Sequence, residues 1–268
     1  MHHPFRAFCL LLALLAALFG ASDGASADAP DDRRPTVFLD PGHGGPEPGA
    51  VFHGAGFTVA EAEVNLRVAL LTAERLRAQG YTVVLSRETD DEAGGGEDSN
   101  GDGRVTSRDG LQAVVDEANT AQADLFLSIH HNGSTNPQAS GSEVYYCADR
   151  PFAAESFRFG ELVLDHVLAA LRYQGYVSNN RGLMDDSVLY TRGAFRGHLF
   201  VLGPVRAFRA ASVPGRWAPK LRATEMPGVL SEALFVSNPT EARLLAQPRI
   251  QAALADAYAG AVEAYFAP

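Results

Sequence analysis

One stretch limits the fold more than any other: Leu39-Asp40-Pro41-Gly42-His43-Gly44-Gly45-Pro46-Glu47. Thr36-Val37-Phe38-Leu39, just before it, reads as a short buried strand, and Pro41, Gly42, Gly44 and Gly45 break that strand into a tight loop. Glycine lets a backbone approach a ligand closely and adopt positive φ. His43 therefore stands in a stiff turn at the carboxyl end of a strand. In open α/β sheets the ligand site lies beyond such ends, and an imidazole there suits a metal ion or a proton. A solvated loop histidine is the plain alternative, so partners elsewhere in the chain must decide.

The rest of the chain alternates in the way an α/β sheet requires. From Glu61 the spacing turns helical, with Ala62, Leu66, Ala69, Leu70, Ala73 and Leu76 on one face, and Gly80 ends the helix. Tyr81–Ser86 reads as a strand, 89–105 as an acidic, Gly-rich loop, and 107–121 as a second helix. Asp124–Ile129 is a third strand, ending at His130-His131, and Ser142–Tyr146 a fourth. A long helix is expected over 153–173, with Phe157, Gly160, Leu164, Val167, Leu168 and Leu171 buried. Leu199–Leu202 and Gly228–Leu230 read as apolar strands. Asn238-Pro239-Thr240-Glu241 starts a helix, with Asn as cap and Pro at the first position, and a last helix runs to about Tyr265. The expected fold is α/β: a single three-layer domain, a twisted mostly parallel sheet with helices on both faces.

The amino terminus reads as a targeting segment. Arg6 precedes an apolar run from Phe8 to Phe19, shorter than the about 20 residues of a membrane span. Ala25-Ser26-Ala27 supplies small residues for cleavage after Ala27. This gives a signal peptide over 1–27, a disordered lead-in over 28–35, a folded domain over 36–268, and export to a periplasm or to the outside, with no stable membrane anchor. Cys9 lies before the apolar core rather than after it, so it is not placed as a lipoprotein cysteine. The formal net charge of −10 argues against nucleic-acid binding. Cys147 alone remains after cleavage, which excludes an intramolecular disulfide. A monomer is expected.

Zinc hydrolases use three His or Glu/Asp ligands and keep one position open. Here the candidates at strand ends or helix starts are His43, Glu61, His130 and Glu232. Glu61 has an equal alternative, because Thr58-Val59-Ala60-Glu61 is also a capping box. His130 and His131 point to opposite sides of an extended segment, and His130 is preferred for the site. Glu232 follows an apolar strand, where half-burial would raise its pKa and suit a general base. A structural carboxylate capping a turn is the other reading of Glu232.

At these residues the chain resembles zinc-dependent N-acetylmuramoyl-L-alanine amidases of peptidoglycan. Leu39-Asp40-Pro41-Gly42-His43-Gly44-Gly45 resembles the family's opening motif, and Glu61-Ala62-Glu63-Val64-Asn65-Leu66 its Glu-Lys-x-x-Asn-Leu segment. Ser128-Ile129-His130-His131-Asn132 resembles its Ser-Ile-His-x-Asn segment, and Pro227 to Asn238 its closing motif. Four motifs in order, over about 35–265, make the likeness specific. It implies zinc on His43, Glu61 and His130, with Glu232 as general base on zinc-bound water. It also implies hydrolysis of the amide between the lactyl group of N-acetylmuramic acid and L-Ala of the stem peptide. Peptidoglycan is then the partner, and any activating protein is left unidentified. Alternatives are a zinc peptidase or deacetylase acting on another wall bond, or a non-catalytic wall-binding relative.

Two stretches depart from the family pattern or add to it. Val114 and Val115 occupy positions where relatives carry an Arg ahead of Ala118-Asn119. The insertion over 203–225 brings Arg206, Arg209, Arg216, Lys220 and Arg222 with Phe208 and Trp217, and reads as a solvated loop, a lid or a self-blocking segment. Separately, 98–109 fits a calcium loop, with Asp98, Asn100, Asp102, the Arg104 carbonyl and Asp109 as ligands. A plain acidic, Gly-rich loop is the alternative there.

Overall fold

The computed structural model describes residues 34–101, 103–189, 197–204 and 221–268. The expected signal peptide, most of the lead-in, Asp102 and residues 205–220 of the basic insertion lie outside the described residues. Among those described, no helix is long and apolar enough to cross a membrane.

The first strand, β1 (Thr36–Pro41), leads through the glycine loop to a hairpin of β2 (Val51–Gly54) and β3 (Phe57–Ala60), then to α1 (Glu61–Ala78) and β4 (Thr82–Leu85). Next come α2 (Ser107–Thr120), β5 (Leu125–Asn132), β6 (Ser142–Tyr146), α3 (Ala153–Tyr173) and β7 (Asn180–Asp185). The chain ends with β8 (Gly228–Phe235), α4 (Pro239–Leu245) and α5 (Pro248–Phe266). Six strands form one sheet in the order β4-β1-β5-β8-β6-β7. The first four run parallel, β6 is antiparallel to β8, and β7 is parallel to β6. The sheet is thus mostly parallel, with a reversed pair at one edge.

Alternation along the strands divides the core. Val37, Leu39, Leu125, Leu127 and Val229 face α1, α3 and α5. Phe38, Phe126, Leu230 and Tyr145 face α2 and the buried turn around Phe200-Val201-Leu202. Both faces are covered, as a parallel sheet requires.

Several expectations are corrected. Leu199–Leu202 is a turn rather than a strand: Leu202 and Gly203 both donate to the Leu199 carbonyl. Its apolar side chains are buried all the same, against α2 and the sheet, so burial alone did not make a strand of it. On α1 the buried face includes Asn65 and Thr72, while Leu66 and Leu70 are only partly covered. On α3 Phe157 is 40% exposed, and Phe159 packs inward instead. The two C-terminal helices are separated at Ala246-Gln247, where Pro248 starts α5. Asn238 caps α4 as expected, but Glu241 accepts from Gly141 N, Phe235 N and Tyr176 Oη rather than bonding back to the cap.

Candidate metal centre

The loop after β1 bends sharply at His43, whose φ is +64°, a conformation that non-glycine residues rarely adopt. Arg87, buried after β4, holds this loop: its guanidinium donates to the carbonyls of Pro41, Gly42 and Thr89 and, at the start of α1, of Ala62. Asn65 Nδ2 adds a bond to the Gly42 carbonyl at 3.0 Å. Asp40 accepts from Ser86 Oγ and Ser128 Oγ, which ties β4, β1 and β5 together beneath the loop. Gly42 has to be glycine: an added Cβ would sit 2.0 Å from His130 Nε2.

Glu61 is the first residue of α1, and Ala60, not Thr58, is its N-cap. The capping-box reading is therefore set aside. Its carboxylate is buried, with Oε2 accepting from Ala50 N at 2.9 Å. Oε1 lies 3.0 Å from His43 Nε2 and 3.1 Å from His130 Nδ1, and accepts from His131 N at 3.2 Å. His43 Nδ1, on the other side of its ring, donates to Glu47 Oε2 at 2.5 Å, the outer carboxylate that orients many metal-binding imidazoles. His43, Glu61 and His130 together form a group able to hold a metal ion.

His131 turns the opposite way and bonds Asn65 Oδ1 at 2.7 Å. Burial lowers its pKa to about 4, so it is a neutral structural imidazole. Burial would also lower His43, but the carboxylates of Glu61 and Glu47 raise it to about 9. Burial would raise Glu61, yet the hydrogen bonds from His130 and His43 hold it well below the ordinary range. Two imidazoles converge on one buried carboxylate, a donor set suited to zinc.

His130, Glu232 and Glu143 are direct partners in the register of three adjacent strands, β5, β8 and β6. Glu232 thus lies within β8, not after it. Its Oε2 is buried and has no hydrogen-bond partner among the described residues. Burial first, then the charges of Glu61 and Glu143, raises this carboxyl well above its usual range. Reading the sequence missed Glu143. Its carboxylate is buried, pairs with Arg181 and accepts from Asn132 Nδ2 and Tyr145 Oη. The signal available was a Glu beside Val144 and Tyr145 in a segment that reads as a strand. A cleft of about 510 Å³ opens over His43 and His130 and runs along the sheet face to His198, Leu199 and Phe200.

A family model described as N-acetylmuramoyl-L-alanine amidase (Amidase_3) matches residues 37–264. The chain belongs to this amidase family. It is 30% identical to the amidase AmiC of Neisseria meningitidis, over 87% of this chain and 53% of that protein. It is also 30% identical to the germination-specific amidase of Bacillus subtilis, over 86% of this chain and 79% of that one. The chain therefore spans about half the length of the Neisseria relative and most of the Bacillus one. Among solved amidase folds, the catalytic domain of CwlV from Bacillus (Paenibacillus) polymyxa superposes with a TM-score of 0.59 at 24% identity, covering 86% of this chain and 97% of that domain. The α/β architecture is shared.

The calcium-loop residues are differently engaged. Asp109 is the third residue of α2 and forms a capping box with Thr106. Its Oδ2 accepts from Thr106 N and Oγ1, and its Oδ1 from Asn100 N and Nδ2. Asp98 Oδ2 accepts from Gly103 N at 2.8 Å. Beside the insertion, Arg222 pairs with Asp116, and Asn119 bonds the backbone of Ala223 and Glu225, which fastens its C-terminal flank to α2. Cys147 is buried, and burial with the nearby Asp186 pushes its thiol up to about 12, so it is no free nucleophile.

Proposed function

We propose that the chain is an exported zinc amidase that hydrolyses the bond between the lactyl group of N-acetylmuramic acid and L-Ala in peptidoglycan. The observation that carries this reading is the convergence of His43, Glu61 and His130 at the end of a cleft, with Glu232 beside His130 in the next strand. Zinc held by those three residues supplies a Lewis acid that polarises the scissile carbonyl.

The chain's own groups do the rest. Glu232 takes the proton of the attacking water on its unpartnered Oε2 and passes it to the leaving amine. Burial and the neighbouring carboxylates raise its pKa, which makes it a stronger base than an exposed carboxylate and suits both steps of the transfer. Arg181 neutralises Glu143, so that Glu232 meets less negative charge than two bare neighbours would impose. Glu47 and Arg87 fix the His43 imidazole and its loop. Amidase-family membership and the strand-end geometry favour this reading over a peptidase or deacetylase. Retention of every candidate ligand and of Glu232 counts against a non-catalytic wall-binding role.

A structural calcium ion on Asp98, Asn100, Asp102, Arg104 and Asp109 is a separate part of this proposal. It is supported by the ligand spacing and by the buried Asn100 Oδ1, which has no partner. Titration calorimetry on the chelated protein, with no heat on adding calcium and no change in melting temperature, would remove it.

The test of the main reading is digestion of purified peptidoglycan by the chain, with and without chelation. Release of intact stem peptides that stops on chelation is expected. Release of free amino acids or acetate instead would move the reaction to another wall bond.

A further inference from the structure

The cleft reaches His198, which belongs to a second group of ligating side chains buried behind it. Cys147 directly follows β6, Asp186 directly follows β7, and His198 opens the buried turn above them. Because β6 and β7 run against the other four strands, their carboxyl ends lie at the opposite end of the sheet from those of β1, β5 and β8. Strand carboxyl ends, with their converging loops, are where such sheets build ligand sites. The reversal gives this sheet two such ends.

His198 Nδ1 lies 3.3 Å from Cys147 Sγ and 2.8 Å from Asp186 Oδ1. The ligand atoms of the three residues fall within 4.8 Å of one another, and all three side chains are buried. Zinc with bonds of about 2.0 Å to nitrogen or oxygen and about 2.3 Å to sulfur spaces tetrahedral ligand atoms roughly 3.3–3.5 Å apart. The first cluster has contacts of 3.0 and 3.1 Å, so the two cradles are of similar size.

The outer groups also match those that metal ligands use. Leu199 N donates to Asp186 Oδ2 at 2.9 Å, which leaves Oδ1 facing the centre. Asp149 Oδ2 stands 3.6 Å from His198 Nε2, behind the ring. A carboxylate there favours the tautomer that frees Nδ1 to ligate. The Asp149 amide bonds the Cys147 sulfur. The thiol also hydrogen-bonds Asp186, so the sulfur already faces both of the other ligating side chains.

We propose that Cys147, Asp186 and His198 bind a second zinc ion, which pins the turn around Phe200 to the ends of β6 and β7 and so fixes one wall of the cleft. Binding releases the thiol proton and the proton between His198 and Asp186 to solvent. The site stands on its own residues and does not depend on which wall bond the first centre cleaves.

Cobalt(II) takes the geometry of zinc and gives a thiolate charge-transfer band in the near ultraviolet. The chelated full chain, titrated with cobalt(II), should bind two equivalents and develop that band. Cys147→Ala should lose the band and one equivalent. His43→Ala should lose the other equivalent and keep the band, and zinc should still raise its melting temperature. A wild-type chain without the band overturns the proposal, as does a band that survives Cys147→Ala, since Cys9 would then carry it. Loss of wall hydrolysis with the band intact would count against the amidase reading alone.

Discussion

The two ligand clusters of this chain are assembled from the same kinds of parts by different routes. His43, Glu61 and His130 each come from a segment whose local sequence marks it: a glycine turn after a strand, a helix start, and a strand end. Cys147, Asp186 and His198 come from the reversed edge pair and a turn, and no local pattern marks any of them. Two members of the first cluster, His43 and His130, line the cleft, and Glu232, whose Oε2 has no partner among the described residues, lies beside His130. The second is buried on all three residues and has no such neighbour in reach among the contacts described. The proposals of chemistry at the first and bracing at the second rest on that difference.

Four substitutions would break or sharpen this contrast. The largest effect is expected at the first centre itself. Glu232→Gln keeps the volume and removes the proton acceptor, and should lower hydrolysis of peptidoglycan about 100- to 10,000-fold, with zinc still bound by elemental analysis. Activity within a few fold of the parent would remove Glu232 from the mechanism.

Gly42→Ala tests whether the loop glycine makes room for a ligand. Its methyl group would have to displace the His130 ring, so one equivalent of zinc should be lost while the second cluster keeps its own. If both equivalents are retained at parental affinity, the cradle is looser than drawn here.

Arg87→Ala leaves the ligands in place and frees the carbonyls of Pro41, Gly42 and Ala62. Loss of an outer support of this kind should weaken zinc binding at the first centre roughly 10- to 100-fold, as read by competition with a chromophoric chelator. An unchanged affinity would show that the loop holds its shape without the guanidinium.

Glu241→Ala acts on the frame rather than on either cluster. It strands the amides of Gly141 and Phe235 and the Tyr176 hydroxyl, and should cost about 3 kcal/mol in urea unfolding. A cost below about 1 kcal/mol would mean that water replaces the carboxylate easily.

Much of the frame was legible because it is written locally. Helix periods, the Gly80 stop and the Asn238-Pro239 start each sit within a few residues, and the structure has an element at each. The failures share a cause. Leu199–Leu202 is apolar enough for a strand, but it is buried by α2 and the sheet face rather than by strand pairing. Phe157 fits the helical period, yet the helix is rotated so that Ser156 and Phe159 point inward. In sequence Glu61 fits both a capping box and a ligand pattern; the helix start at Ala60 and the approach of His43 and His130 from β1 and β5 separate the two.

The sequence by itself determined the α/β class and the order of most elements, because spacing within a short segment fixes which way its side chains point; for the residues around His43 it offered candidates, with Glu61 left open between cap and ligand. It could not determine the direction of β6. Whether that strand joins β8 parallel or antiparallel depends on long-range pairing, and its own residues suit either. Tertiary structure alone reversed it, brought Glu143 beside Glu232, and carried Cys147 to His198 across 51 positions of chain.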